Sequence, residues 1–211
     1  MHPELERHIV HIEGLNDLHL SVLKDMLQAD SGAMYPLDIL AAATVKRSMS
    51  LCAGFSSLVR SQNYLCAASL LRLQLDSCLR FFSAFIVERP HQLAHEVLQG
   101  KAIRKMKDMD GNHMTDAYLV EMLGEKYEWM PRVYKATSGF IHLSDKHIFS
   151  VFVPSEEEGR VSLRVGFKDD GVPLELWIEL SVGFLASTDA LFEYLKGWTH
   201  TKVVFAKETN H

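Results

Sequence analysis

Residues 62–87 read QNYLCAASLLRLQLDSCLRFFSAFIV, and this stretch decides the fold. At 100° per residue its apolar side chains cover most of the circumference of a helix, which is typical of the central helix of a bundle. Its polar side chains fall together on one stripe about 80° wide. Within that stripe, Arg72, Asp76 and Arg80 follow one another at intervals of four residues. The stretch therefore predicts a central helix with one charged face.

Apolar residues recur at helical spacing on both sides of this stretch, and prolines mark several helix starts. In the last helix, Glu175 lies early and Lys196 lies late, which suits the helix dipole, and Gly197 predicts the end. The predicted helices cover residues of about 3–29, 36–60, 62–87, 91–99, 115–124, 128–142 and 173–196.

Between about residues 148 and 167 the apolar residues recur at every second position instead of at helical spacing. Apolar residues alternate with polar or small ones along residues 161–167, and alternation also runs along residues 148–153. These runs predict the two strands of a β-hairpin, with Pro154 to Gly159 as the connection. A lone hairpin is marginally stable, so it should lie against the helices. We therefore predict a mainly α fold: a single helical domain over residues 1–211, a bundle with one β-hairpin inserted before the C-terminal helix.

Composition narrows the class of protein. The 211 residues are 47% hydrophobic and 23% charged, as in ordinary globular proteins, and the net charge of −5 argues against nucleic acid as a partner. Cys52, Cys66 and Cys78 form no CxxC pair, so a reduced compartment is expected. The sequence shows no secretory signal and no apolar run of the ~20 residues that a membrane span needs. We expect a soluble cytoplasmic protein with no membrane contact.

The Arg72–Asp76–Arg80 stripe is the first candidate site. The two guanidinium groups are fork-shaped donors that suit a phosphate or carboxylate, and Asp76 between them would orient both. The alternative is that the stripe is the solvated face of an amphipathic helix. Both interpretations stay open at the level of the sequence.

Residues 138–147, SGFIHLSDKH, form the second candidate, where a helix meets the hairpin. His142 and His147 could act as an acid and base pair, or could bind a metal together with Asp145. Ser138 could bind a ligand, and it could act as a nucleophile if a histidine lay within hydrogen-bond reach. The alternative is that His142 caps the end of a helix.

His91 and His95 are the pair that comes nearest to a metal site. Their spacing of four residues would place both imidazoles on one face of a helix. The HExxH pattern of metalloproteases is absent because Gln92 stands where the glutamate would be. With 11 histidines in the chain, such pairs arise by chance. We predict no metal and no cofactor.

Two short motifs carry a resemblance. Arg72 is followed four residues later by Asp76, and a segment from Ser138 to His142 lies about sixty residues further on. Through these motifs the chain resembles prokaryotic abortive-infection proteins of the AbiV type and, more distantly, HEPN-like helical proteins. The resemblance covers about residues 62–147. The resemblance implies a helical fold and a setting in stress response or phage defence. It implies no particular reaction.

These observations favour a binding module. We expect it to hold an anionic ligand or a protein partner through Arg72, Asp76 and Arg80, with Ser138 and His142 nearby, and to act as a homodimer. The alternative is a hydrolase for a phosphodiester or another small substrate, with His142 or His147 as the acid or base. An enzyme would need a histidine within about 3–7 Å of the arginines in a cleft open to water. The sequence leaves the ligand, the reaction and the oligomeric state open.

Overall fold

The computed structural model describes residues 1–153, 160–169 and 171–209. Within these ranges the chain forms eight α-helices and one pair of short antiparallel strands. The mainly α fold is therefore confirmed, with the hairpin placed before the C-terminal helix as predicted. The elements are α1 (Pro3–Gln28), α2 (Pro36–Arg60), α3 (Tyr64–Phe82), α4 (Pro90–Leu98), α5 (Asp116–Gly124), α6 (Met130–Ser138), α7 (Asp145–Ser150), β1 (Phe152–Val153), β2 (Ser162–Leu163) and α8 (Leu174–Thr209).

Four long helices form the bundle. α1 packs on α2 and α8, and α3 packs on α2 and α8, so that each of the four helices has two main neighbours. Phe55 of α2 and Phe184 of α8 stack in the centre with ring centroids 4.1 Å apart, and both side chains are fully buried. Gly183 lets α8 approach α3 closely, since a Cβ there would lie 3.2 Å from a methyl group of Leu71. As the sequence indicated, α3 is central.

Local capping explains where several helices begin. Proline stands at the start of α1, α2 and α4, where its missing N–H group leaves no helical hydrogen bond unmade. The side chain of Asn63 accepts from the amide of Cys66 to cap α3, and Thr115 accepts from Tyr118 to cap α5. Because these signals are local, the ends of α1 and α2 match the predicted ends within one residue.

The short helices build a second layer on α2 and α3. α4 packs against α2, whereas α5 and α6 pack against α3 and against each other. This arrangement brings Asp116, the first residue of α5, and Tyr134 of α6 to the charged face of α3. Arg47 of α2 also reaches this face. The candidate site is therefore assembled from four helices rather than from one.

Several predicted boundaries of helices and strands are wrong. The predicted strand at about 148–153 begins as helix α7, whose first turn is capped by Ser144, and the paired strands cover two residues each. α8 continues through Gly197 to Thr209, whereas the prediction ended it near 196. The helix predicted at 128–142 is the shorter α6, and the one at 62–87 ends in a 3-10 turn after Phe82. The predicted hairpin connection, Pro154 to Gly159, lies outside the described residues.

None of the helices in the described ranges is both long enough and apolar enough to cross a membrane. The longest, α8, carries charged side chains along its length, including Glu193 and Lys202. Its apolar residues serve the bundle instead, with Leu191 and Leu195 fully buried against the other helices.

Candidate functional site

Arg80 of α3 lies between two carboxylates. Its Nε donates to Oδ1 of Asp76 over 3.0 Å, and its Nη2 donates to Oδ1 of Asp116. The other oxygen of Asp76 lies 3.2 Å from Nη2 of Arg47 on α2. The predicted pairing of Asp76 with Arg80, one helical turn apart, is therefore present, and it extends to a neighbouring helix.

Arg72 has a different partner from the predicted one. Its Nη2 lies 3.6 Å from Oδ2 of Asp116, and its guanidinium group stacks over the ring of Tyr134 with Cζ 3.7 Å from the centroid. No ion pair joins Arg72 to Asp76 among the described side chains. Asp76 therefore does not orient both arginines, and Asp116 of α5 is the carboxylate that Arg72 and Arg80 share.

We name this group the arginine cluster. It contains three guanidinium groups and two carboxylates, so the cluster has one more positive than negative charge. The cluster opens to solvent on the side of Arg47 and Asp116 and is covered at Arg72, whose side chain is 11% exposed. Its members are Arg47, Arg72, Asp76, Arg80, Asp116 and Tyr134.

One buried donor of the cluster has no acceptor among the described residues. Nη1 of Arg80 is buried and makes no hydrogen bond. Leaving a buried charged donor unpaired is costly, so most such groups in folded proteins find a partner. The hydroxyl group of Tyr134 donates to Oδ2 of Asp116 over 3.4 Å, and burial, with Asp116 adding to it, raises the pKa of Tyr134. Tyr134 therefore stays a neutral donor beside the arginines.

The cluster has the chemistry of an oxyanion receptor. Guanidinium groups present parallel N–H donors that match the oxygens of a carboxylate or phosphate, and such charge-assisted hydrogen bonds are among the strongest in proteins. Stacking on Tyr134 holds the plane of Arg72 in place. The cluster contains no histidine, serine, threonine or cysteine side chain.

Of the second candidate site, Ser138 bonds to the backbone of a member of this cluster, whereas neither histidine has a described contact with it. Ser138 Oγ donates to the carbonyl of Tyr134 over 2.7 Å, which is a bond within α6. His142 is exposed between α6 and α7. His147 accepts from the amide of Ser144 at 3.4 Å through Nδ1, which caps α7. In the part of the chain that the structure describes, no hydrogen bond or ion pair links either histidine to the arginine cluster.

His91 and His95 also face different partners. The ring of His91 stacks on Tyr35 with centroids 5.0 Å apart and meets the edge of Trp198 at 5.3 Å. His95 makes its hydrogen bond to Gln99, one turn further along the helix. Burial lowers the pKa of His91. Across the described residues, no group of three or more metal-ligating side chains comes together.

A cavity of about 610 Å³ lies between α4 and the loop that follows it. Its charged lining has both signs: Arg89 and Lys101 are basic, and Glu96 and Asp108 are acidic. None of the predicted site residues lines it. Two of the basic residues in its lining, Lys101 and Lys105, are exposed to solvent.

Sequence reasoning missed half of the arginine cluster. Arg47, Asp116 and Tyr134 come from α2, α5 and α6, and nothing in their local sequence points to α3. The one available signal is that Asp116 directly follows a helix cap at Thr115, which places it in a first turn where acidic residues are common.

It also missed a polar layer at the centre of the bundle, to which all four long helices contribute. Gln74 Nε2 donates to Ser48 Oγ over 2.7 Å and to Thr188 Oγ1 over 3.0 Å, and Ser48 Oγ lies 2.8 Å from Nε2 of His19. Since Nδ1 of His19 donates to the carbonyl of Leu15, Ser48 donates to Nε2 of a neutral imidazole. All four polar side chains are buried, so this layer positions the helices and cannot meet a ligand directly.

Comparisons with protein-family models, with curated proteins and with solved structures find no match. The geometry of the arginine cluster is therefore the basis for a functional proposal. Two features matter most: the shared carboxylate Asp116 and the unpaired donor on Arg80.

Proposed function

We propose that this protein is a non-catalytic binding module that takes an anionic group, a phosphate or a carboxylate, at the arginine cluster. The observation that carries the proposal is the unpaired Nη1 of Arg80 in a group of three arginines and two aspartates. An oxyanion bound there would supply the missing acceptor and balance the excess positive charge.

Partial exposure supports access to the cluster. The side chains of Arg47 and Asp116 reach solvent, whereas that of Arg72 is largely covered and stacks on the ring of Tyr134. An incoming anion would compete with Asp116 for the two arginines of α3. Because Asp116 is the first residue of α5, its release would also change how α5 sits on α3. Anion binding and the position of α5 would then be coupled.

Calorimetric titration with inorganic phosphate and with acetate at low salt tests the proposal. We expect saturable binding at one site per chain. Arg80→Met should weaken it by about 10-fold to 100-fold, the range for losing one hydrogen bond to a charged group. Arg80→Lys should give an intermediate loss, because it keeps the charge without the fork.

Arg60 offers a matched control. It is also paired with two carboxylates, Glu6 and Glu13, but it lies at the end of α2, outside the cluster. Arg60→Met should leave phosphate binding unchanged. Equal weakening in the Arg60 and Arg80 variants, or a wild-type protein that binds neither anion, would overturn the proposal.

The hydrolase alternative has less support. It would need His142 or His147 beside the arginines, and their described contacts are local ones within residues 138–150. We therefore place binding first. A steady release of product from a phosphodiester substrate, abolished by His142→Ala, would reverse that order.

The resemblance to abortive-infection proteins supports a proposal about the setting. We propose that the protein works as a homodimer in the cytoplasm, in stress response or phage defence. Bacteria that express it should then show a lower efficiency of phage plating than bacteria that express the Arg80→Met variant. Equal plating in the two strains would contradict this role and would leave anion binding to be judged by calorimetry alone.

A further inference from the structure

Residues 141–153 and 160–167, which we name the apolar insert, expose an unusual amount of apolar surface. They include Leu143, Phe149, Val165 and Phe167, each more than 60% exposed. The nine large apolar side chains of the insert that reach solvent are Ile141, Leu143, Ile148, Phe149, Phe152, Val161, Leu163, Val165 and Phe167.

The exposed area is larger than a monomer usually shows. Summed over the nine residues it amounts to roughly 900 Å², if a fully exposed residue counts about 150 Å², the lower end of the range for aromatic side chains. The largest apolar patch on a typical monomer measures about 300–600 Å². One side of a standard protein–protein interface covers about 800 Å². The insert therefore supplies as much apolar surface as one half of a stable dimer needs.

The apolar residues along 161–167 follow the pattern of a strand with one buried side, yet they are exposed. Val161, Leu163, Val165 and Phe167 alternate with Ser162, Arg164 and Gly166, as on a strand with one buried face. In the structure the apolar members of this run are 71%, 62%, 89% and 66% exposed. The apolar side chains that the sequence pattern marks as internal are thus exposed to solvent.

The insert is nevertheless held in place at both ends. Ser69 of α3 donates to the carbonyl of Phe140 over 2.8 Å, just before the insert. Just after it, the amide of Asp169 donates to the carbonyl of Gln62, and the carboxylate of Asp169 accepts from the amide of Leu65. The ends are therefore fixed on α3, and the apolar part between them stands away from the bundle.

The space under the insert is not filled by the bundle. Cavities of about 350 Å³ and 430 Å³ are each lined by residues of the insert and by Leu65 of α3. The two-residue strands β1 and β2 pair with each other through Phe152 and Leu163, and both of these side chains remain exposed. A pair of strands this short gains stability when further strands or another apolar layer cover it.

We infer that the apolar insert is the interface of the homodimer proposed above, on which this inference rests, and that its occupant is the insert of a second copy of this chain. An interface around a two-fold axis brings the same patch of both copies together. Two inserts carry equal apolar areas, each close to one half of a standard interface. The alternating faces would then form two apolar layers that cover each other.

Sedimentation velocity of the full chain at about 100 µM tests the inference, since interfaces of this size reach dissociation constants of µM or below. We expect a species of twice the chain mass of 23.9 kDa. Val165→Lys should give a monomer with an unchanged helical spectrum, because the side chain at this position is already in solvent in the single chain. Val10→Lys, the same substitution at an exposed valine of α1, should leave the protein a dimer.

The outcomes separate the two proposals. A monomeric wild-type protein at this concentration would overturn both the homodimer and the insert as its interface. A dimer that survives Val165→Lys and the double variant Leu163→Lys/Val165→Lys would overturn the insert alone. Phosphate binding by the monomeric Val165→Lys variant shows whether the arginine cluster works independently of assembly.

Discussion

The ammonium group of Lys202 is fully buried and lies 3.0 Å from Oδ2 of Asp38, which precedes it by 164 residues. Its other two protons go to the carbonyls of Met26 and Ala33, each at 2.9 Å. Oδ1 of Asp38 accepts from the indole of Trp198 over 2.7 Å. Every donor of this lysine is satisfied, so the C-terminal part of α8 is fixed to the start of α2.

Removing this charge should be strongly destabilising. Lys202→Met leaves Asp38 buried without its counter-charge, and breaking such a pair typically costs about 3–5 kcal/mol. Urea denaturation should show that loss, and Lys207→Met, an exposed lysine of the same helix, should show almost none. Adding Asp38→Asn to Lys202→Met should recover part of the stability. Equal midpoints for the Lys202 and Lys207 variants would contradict the structural role of the pair.

Stability should fall in mild acid because of His19. Burial lowers the pKa of His19 from 6.5, so the folded protein favours the neutral ring while the unfolded chain takes up a proton near pH 6.5. The contribution of His19 to the unfolding free energy should therefore be constant above that pH and decrease below it. In denaturation series from pH 7.5 to about pH 5, His19→Leu should have a shallower slope than the wild type. His95→Gln, at an exposed histidine, should keep the full slope.

Arg72→Ala should cost about 1–2 kcal/mol, the sum expected for a stacked cation and a partly exposed ion pair. A larger loss would be expected if Asp76 were buried and depended on Arg72 for its counter-charge. Asp76 is partly exposed and pairs with Arg47 and Arg80 instead. Thermal and urea melts measure the loss, and Arg72→Lys should keep part of the stability. A melt that Arg72→Ala leaves unchanged would show that the cluster contributes nothing to folding.

One of the three thiols should react in the native protein. Cys66 is exposed, whereas burial raises the pKa of Cys52 to about 11 and that of Cys78 to about 12. A chromogenic disulfide reagent at pH 8 should therefore titrate one fast thiol in the folded state and three in urea. Cys66→Ser should remove the fast phase. A fast reaction of all three native thiols would be inconsistent with the packing of α2 and α3.

The sequence predicted those elements whose signals are local. Proline and the early acidic residues predict α1 and α2 because they act within one helical turn. At Gly197 the same reasoning failed: this glycine lies inside α8, and a Cβ at that position would only make ordinary contact with the ring of Phe85, at 3.5 Å. As a result Lys202 was left outside the predicted helix, and its contact with Asp38 went unseen.

The first predicted strand is present only at its end, as Phe152–Val153, for a related reason. Residues 148–153 alternate in polarity, but Ser144 and His147 cap each other's backbone and start α7 just before them. That cap determines the local structure, and the alternation does not. In the candidate site, the contact between Asp76 and Arg80 followed from helix spacing alone. Arg47, Asp116 and Tyr134 reach the site through tertiary packing, which no local pattern encodes.

The central claim is that the arginine cluster binds an anion, and side-chain NMR tests it most directly. The Nε–Hε signals of Arg72, Arg80 and Arg60 can be assigned by single substitutions to lysine and followed during a titration with inorganic phosphate. The claim predicts that the signals of Arg72 and Arg80 shift and saturate together while that of Arg60 stays in place. Signals that do not move, or that all drift without saturation as salt screening would cause, would contradict it.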